Sequence, residues 1–434
     1  MKILVVSQYW APENGVPQRR WSWLSEYLIQ CGHEIMVLAP RPHYERSITW
    51  LDWFSQRFYR SASEAVTGDG GEKIVRTGFV PTGNGITGKA LNQLAVSASQ
   101  MWMAFKSRSI VKDFDPDLVI GTVPAIPTAF VAYIFGRRFE IPYVIDLRDA
   151  WPDLFSEARN WNAAMGSKSI RQRILEFGPL QLVTFVARRL LNWVLDSADG
   201  ILVTSSYLGE SIERRLKNRL LSRKPRILTL RNVFPPETQY ERRQAKQLSS
   251  QLHVLYAGTL GRAQDLSNVI SAAAICREKG VNVALKFAGA GAARKQLVEM
   301  AKDTNLEIEF VPRTEADKLE ELYRWADTAL VHLADWHDLQ MTVPSKTYEL
   351  MNAGIHITAV VRGETSDIVT ENRAGHVVPP RDPVALAELW GRLHESSEYL
   401  RVGKEGRQWV RERRAEAPRA LELFLNNVLV LSRD

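Results

Sequence analysis

The run Val343-Pro344-Ser345-Lys346-Thr347-Tyr348-Glu349-Leu350-Met351-Asn352-Ala353-Gly354 sets a cation and a carboxylate at the start of a short helix pattern. Pro344 pre-sets the turn, Ser345 reads as the N-cap, and Gly354 closes the helix. Free backbone N–H groups and the Lys346 ammonium converging on one point would bind an anion. Glu349 lies about one turn further on, where its carboxylate could accept hydrogen bonds from a ribose. A diphosphate beside a ribose is the skeleton of a nucleotide sugar. On this segment alone, a capped helix with a surface Lys and Glu fits as well.

Other residues offer related chemistry. Tyr256-Ala257-Gly258-Thr259-Leu260-Gly261-Arg262 follows an apolar run, so Gly258 and Gly261 could cradle a phosphate with Arg262 as a guanidinium clamp. It is neither a P-loop nor Gly-x-Gly-x-x-Gly. Gly289 and Gly291 follow another apolar run, where tight strand–helix turns also use glycine. Gly15, just before the first helix pattern, permits close backbone approach to a ligand, or serves the turn alone. Asp149, in Asp146-Leu147-Arg148-Asp149-Ala150-Trp151-Pro152-Asp153, follows a strand end and would project toward a binding edge, unless Arg148 merely pairs with it. Asp115-Pro116-Asp117 mimics a metal-binding Asp-x-Asp but reads better as a turn before a strand. His332 and His337 straddle a loop, and no Gly-x-Ser-x-Gly elbow occurs. Neither a metal nor a cofactor is expected.

The elements that must position these residues alternate strand and helix. Lys2–Ser7 reads as a strand, residues 18–31 as a helix with Trp21, Leu24, Tyr27 and Leu28 on one face, and Glu34–Ala39 as the next strand. Leu118–Gly121, Tyr143–Asp146 and Gly200–Thr204 continue the rhythm. Residues 236–251 are polar and charged after Pro235-Pro236, as in a linker. The pattern then restarts at His253 and includes residues 284–288, 308–311, 328–333 and 356–361 as strands. The expectation is α/β: two doubly wound, Rossmann-like parallel-sheet domains facing a cleft, over 1–235 and 252–410. Residues 411–434 form a helix crossing back to the first domain. Ligands of such sheets bind beyond the carboxyl ends of the strands.

Composition fits two soluble domains: 434 residues, 45% hydrophobic and 24% charged. Cys31 and Cys276 are too few and too far apart for a disulfide framework, so a reducing, cytoplasmic setting fits. The first residues run straight into a strand pattern, too short and too soon polar for a signal peptide. Leu118–Gly136 is uncharged, but Pro124 and Pro127 divide it into a strand, a loop and a buried helix. Net charge is +7, with basic clusters at 214–226 and at Arg171, Arg173, Arg188 and Arg189. Such charge suits anionic lipid, nucleic acid or a solvated face.

Taken in order, these segments resemble the GT-B glycosyltransferases of family four, in particular the branch that builds bacterial surface polysaccharides on lipid carriers. The resemblance covers nearly the whole chain. It runs through residues 1–16, Gly32-His33-Glu34, Arg148-Asp149-Ala150-Trp151-Pro152-Asp153 (where the branch favours Arg-Asp-Leu-Trp-Pro-Glu) and Ala198-Asp199-Gly200-Ile201. It continues through Arg231-Asn232-Val233, residues 256–264, 287–291 and 344–349, Gly363-Glu364, and Ala374 to Pro383. It implies retaining, metal-independent transfer from a nucleotide sugar, by that analogy a UDP-sugar, to a growing glycan on a polyprenyl diphosphate. Arg262 and Lys346 would neutralise the leaving diphosphate, helped by the helix start at Ser345. Glu349 would hold the ribose, and Gly15 would let its backbone approach phosphate and sugar. Pro312 and Arg313 would border the base, and Asp149 would act on the acceptor hydroxyl. One departure stands out. The family carries a second Glu eight positions before the ribose-binding one, and that position is Met341.

The acceptor side is read from residues 49–60, 99–106 and 180–195, which interleave aromatics with Arg or Lys. Such mixtures suit the inner face of the cytoplasmic membrane, with rings at the headgroups and cations on anionic lipid; packing against the sheet is the other reading. The competing functions are a nucleotide-sugar epimerase of the same shape, which would lack interface segments, a transferase with a soluble acceptor, a non-catalytic partner, and a nucleic-acid binder. The doubly wound pattern offers no nucleic-acid module, so no nucleic-acid partner is expected.

Overall fold

The computed structural model describes residues 1–13, 15–43, 48–62, 64–81, 86–106, 109–123, 125–150, 179–219, 223–242, 250–304, 306–313 and 316–432. Asn14, Pro124, Trp151, Pro152, Asp153, Arg171, Arg173 and part of the expected linker lie outside the described residues. Contacts divide the chain into two units. Unit 1 comprises Met1–Pro152, Phe185–Phe234 and Ala415–Asp434, and unit 2 is chiefly Pro235–Arg414.

Unit 1 is built on an eight-stranded sheet: β1 (Lys2–Val6), β2 (Glu34–Pro40), β3 (Val66–Thr67), β4 (Lys73–Thr77), β5 (Leu118–Val123), β6 (Tyr143–Leu147), β7 (Gly200–Val203) and β8 (Arg226–Thr229). Their spatial order is β3-β4-β2-β1-β5-β6-β7-β8, parallel except for the β3–β4 pair. The central strands are continuous apolar runs because they are buried on both faces: β5 is buried along its whole length, and Leu4 of β1 stands between Met36 of β2 and Val119 of β5. The Val16–Gln30 helix follows β1 and buries Trp21, Leu24 and Leu28. The uncharged stretch resolves into β5 and the Pro127–Phe139 helix. Among the described residues, no helix is long and apolar enough to cross a membrane.

Unit 2 carries a six-stranded, all-parallel sheet: β9 (Leu252–Ala257), β10 (Val283–Ala288), β11 (Ile308–Val311), β12 (Thr328–His332), β13 (His356–Val360) and β14 (Gly375–Val378), ordered β11-β10-β9-β12-β13-β14. Its core includes Leu285, Phe287, Leu330 and Trp390. The strand order reverses beside β1 in unit 1 and beside β9 in unit 2, the points where such sheets open a crevice for ligand.

Two local details differ from the sequence reading. Ser345 is the first residue of its helix and Pro344 the N-cap, with no side-chain capping bond, because Pro344 holds the extended backbone that enters the turn. Part of the expected linker is tied down. Arg242 donates to the carbonyls of Tyr323, Ala326 and Asp327, satisfying the carbonyl end of the Ala316–Trp325 helix. Asp115 and Asp117 do turn work: Asp115 caps the Ile110–Phe114 helix in the left-handed conformation, and Asp117 accepts from the Lys2 N–H at 2.8 Å. The final helix, Glu405–Ser432, has residues in both units, and its Phe424 and Val428 pack on Gly200 of β7.

Candidate active site

In unit 2 the expected donor-site residues gather at the carboxyl edge of the sheet. Gly258, Gly261 and Arg262 follow β9, Gly289 follows β10, and Pro312 and Arg313 follow β11 with both exposed. The helix of Ser345, Lys346 and Glu349 starts from the β12–β13 connection.

Backbone hydrogen bonds lock the two glycine turns together: Gly258 N–H to Ala288 O, Leu260 N–H to Ala290 O, and Ala293 N–H to Leu260 O, each 2.9 Å. A Cβ on Gly289 would lie 1.9 Å from the Gly258 carbonyl, and one on Gly291 would lie 2.2 Å from the Leu260 carbonyl, both at positive φ. These glycines are therefore required by loop-on-loop approach. Gly289→Ala and Gly291→Ala should each destabilise unit 2 by about 2–4 kcal/mol, seen as an early unfolding transition. Wild-type melting of either variant would show that the turn can open at no cost.

Arg262 follows Gly261, and its buried Nε has no hydrogen-bond partner among the described residues. A buried guanidinium donor left unfilled is costly, and an anion would satisfy it. Ser345 and Lys346 occupy the first turn of a nine-residue helix, whose leading N–H groups have no acceptor within the helix. The Lys346 ammonium stands 3.7 Å from one oxygen of Glu349, while the Tyr323 hydroxyl donates to the other at 2.9 Å. Tyr323 is fully buried, so it fixes the direction of the Glu349 carboxylate. Sequence reasoning passed over Tyr323, since a Tyr on an amphipathic helix looks like core. At the end of β12, Asn268 donates to His332 at 3.2 Å, and burial pushes this imidazole down to about 4, so it is neutral at pH 7.

Met341 ends a single turn, His337–Met341. Gly363 rests against Gln340, and the Thr365 hydroxyl donates to the Thr342 carbonyl at 2.8 Å. The buried Glu364 thus belongs to the same corner as Met341, a proximity that chain distance conceals.

In unit 1, Gly15 is the N-cap of the Val16–Gln30 helix at the carboxyl end of β1. A Cβ there would meet only the flexible end of Gln18 at 2.6 Å, so the turn itself does not demand glycine. Asp149 follows β6, half-buried. Burial pushes its carboxyl above the ordinary carboxylate range, and Arg148 beside it pulls the other way. Arg148 is itself buried and pushed down to about 10, with Nε and Nη1 lacking partners among the described residues. Behind them, Arg20 pairs with Asp146 at 3.0 Å, both fully buried. Trp21 donates to the other Asp146 oxygen at 2.7 Å, and Arg20 also donates to the Leu230 carbonyl and to Asn232. This network fixes the end of β6 just before Asp149. Sequence reasoning missed it because Arg20 reads as an exposed helix residue.

Comparison with known proteins gives the arrangement its family. Residues 15–232 match the glycosyl transferase 4-like domain, and residues 238–409 match glycosyl transferases group 1. WbjE of Pseudomonas aeruginosa, whose name assigns it as a glycosyltransferase, is 30% identical over 301 residues, 66% of either chain. WcaI of Escherichia coli (strain K12), named for glycosyl transfer in colanic acid biosynthesis, is 24% identical over 336 residues, 76% of either chain. The crystal structure of Anabaena Alr3699/HepE with UDP-glucose aligns with a TM-score of 0.62 at 12% identity, over 98% of this chain and 100% of that one. The chain therefore belongs to the glycosyl transferase 4-like family and is a glycosyltransferase with the two parallel-sheet domains of the GT-B fold.

Proposed function

We propose that the protein transfers a sugar, with retention and without a metal, from a UDP-sugar to a glycan growing on a polyprenyl diphosphate at the inner face of the cytoplasmic membrane, in surface polysaccharide synthesis. The observation that carries the donor half is the unfilled Arg262 Nε at the carboxyl edge that also holds the Ser345 helix start and Lys346. As the bond from sugar to diphosphate breaks, negative charge builds on the leaving oxygen. Arg262, Lys346 and the helix N–H groups offset that charge where other enzymes use a divalent cation. Glu349, held by Tyr323, takes the ribose hydroxyls. Pro312 and Arg313 border the base, and Gly258, Gly261 and Gly289 shape the cradle. Asp149 acts on the acceptor hydroxyl, and Gly15 lets the backbone come close to the transferred sugar. That a protein of the same fold holds UDP-glucose, and that WcaI is named for a polysaccharide pathway, support this reading.

Thermal-shift titration with UDP, GDP and ADP tests it. A nucleotide at a hundred times its Kd stabilises the fold by about 2.7 kcal/mol, so UDP should raise the melting temperature most. Turnover should survive EDTA, and the product should keep the anomeric configuration of the donor. No binding at millimolar levels would remove the donor site. Donor alone yielding UDP and an altered sugar would make the enzyme an epimerase.

The Asp149 assignment carries a pH signature. The folded protein holds this proton more tightly than the unfolded chain does, so the ionised form costs stability above the folded pKa. The cost vanishes below the ordinary carboxylate pKa of about 4. Asp149→Asn should therefore melt a few degrees higher than wild type near pH 7 and equally near pH 3.5. Turnover should fall by about a hundred-fold or more if the carboxylate takes a proton in the reaction. A variant with full activity and no pH-dependent gain would clear Asp149 of both roles.

A further inference from the structure

We infer that a cavity on unit 1 binds the phosphate of an anionic phospholipid headgroup, seating the surrounding apolar surface in the bilayer interface; this rests on the membrane location proposed above. The cavity has a volume of about 460 Å3, and its lining includes Tyr59, Arg60, Ser61, Ser99, Trp102 and Lys106, with no carboxylate. Ser61 and Ser99 bring two hydroxyls to the lining. The Ser99 hydroxyl accepts from the Gly78 N–H at 2.8 Å and lies 2.9 Å from the Ser61 hydroxyl. Two hydroxyls carry two protons and only one can span the pair, so one O–H of these lining residues is left for another acceptor. Arg60 and Lys106 are exposed at its wall, and neither pairs with a carboxylate among the described residues. Two cations, a spare hydroxyl donor and no lining acid select a phosphate-type anion.

The surroundings select an anion that carries hydrocarbon. Trp102 is 67% exposed, and Leu91, Leu94 and Phe105 of the same Ile86–Phe105 helix are exposed with it. Residues 86–106 contain no acid. The Trp50–Ser55 helix adds Trp50 at 61% and Phe54 at 69% exposure. Tyr59 joins cavity to skirt, its ring 5.5 Å from Trp53 and 6.1 Å from Phe54. Free phosphate needs no such skirt, whereas a headgroup presents phosphate at the depth where aromatic rings settle. Trp53 is different: its Nε1 donates to the Phe79 carbonyl, so it anchors the helix to the unit.

Sedimentation of the full chain with vesicles of phosphatidylcholine, with and without phosphatidylglycerol, tests the inference. Wild type should partition onto the anionic vesicles. R60Q/K106Q should lose roughly twenty- to thirty-fold in partition, each cation near an anionic surface being worth about five-fold, with an unchanged melting curve. K106Q alone, at an exposed position past the helix end, should lose about five-fold. W102S should weaken binding to both kinds of vesicle. If wild type ignores anionic vesicles, the membrane location and this inference fall together. If wild type binds but R60Q/K106Q binds equally, the cavity is wrong and the membrane location stands. Saturation of the site by inorganic phosphate below a millimolar, without vesicles, would make it a free-phosphate site and overturn the headgroup assignment. Release from vesicles by an equimolar short polyprenyl diphosphate would overturn it in favour of the carrier lipid.

Discussion

Lys346→Ala and Arg262→Ala are each expected to slow turnover by about a hundred-fold or more while leaving the melting temperature near wild type. A preorganised donor aimed at developing charge contributes a few kcal/mol to the transition state, and about 2.7 kcal/mol corresponds to a hundred-fold in rate. The fold should survive because neither side chain holds anything essential. The Lys346 ammonium has one long ion pair, 3.7 Å to Glu349, and the Arg262 Nε has no protein partner among the described residues. Removing Arg262 even relieves a buried donor that the protein leaves unsatisfied. Kinetics with saturating donor separate the roles. If the cations act on the leaving diphosphate, kcat falls and UDP affinity falls with it, because free UDP carries the same charge. Tyr323→Phe should behave differently: Glu349 loses its anchor, and the KM for donor rises more than kcat falls. Wild-type turnover in both cation variants would remove these residues from the mechanism. The double variant adds a further check, since two groups acting on one diphosphate should show less than additive losses.

Burial decided most of what the sequence made legible, the exception being β11 (Ile308–Val311), an edge strand only partly covered that still reads as a short apolar run. The central strands β1, β2, β5, β6, β7, β9, β12 and β13 are covered on both faces, so they read as apolar runs. The missed strands β3, β4, β8 and β14 sit at or beside sheet edges, where short pieces such as Arg226–Thr229 and Gly375–Val378 are only partly covered and carry polar residues. The residues proposed for the donor site stand out in the sequence because turns at strand ends need glycine and helix starts need particular residues. Even so, the reason for a glycine was hidden: Gly289 and Gly291 answer to the Gly258 and Leu260 carbonyls, which only the paired turns bring near. Residues that act through another residue were not legible at all. Tyr323 aims Glu349 from 26 positions away, and Glu364 reaches the Met341 corner through backbone packing. The aromatic segment at 49–60 was read as one interface element, yet Trp50 and Phe54 face outward while Trp53 holds the helix down.

The same hidden logic gives the largest expected loss of stability. Asp146→Asn should destabilise unit 1 by about 3–5 kcal/mol, because it leaves the fully buried Arg20 guanidinium without its countercharge. Arg20→Ala should cost about as much, since it strands the Asp146 carboxylate and frees the Asn232 side chain and the Leu230 carbonyl. For a unit of this size the melting transition should fall by on the order of 10 °C. The pair itself need not stabilise the fold, because desolvation opposes the attraction. Joint replacement by Arg20→Met and Asp146→Leu should therefore recover much of the loss. Activity should not recover with it. Asp146, Leu147, Arg148 and Asp149 are consecutive, and Asp146 pins the end of β6 to the Val16–Gln30 helix through both Arg20 and Trp21. An apolar pair can refill the space, but it offers no acceptor to Trp21 and no charge to Arg148, whose guanidinium Asp146 helps to keep protonated. The double variant should melt above either single variant but below wild type, because the buried Trp21 N–H is left without its acceptor, and it should turn over more slowly, its deficit resembling that of Asp149→Asn. Full recovery of both stability and rate would show that the buried pair only fills space, and that Asp149 is positioned by other contacts.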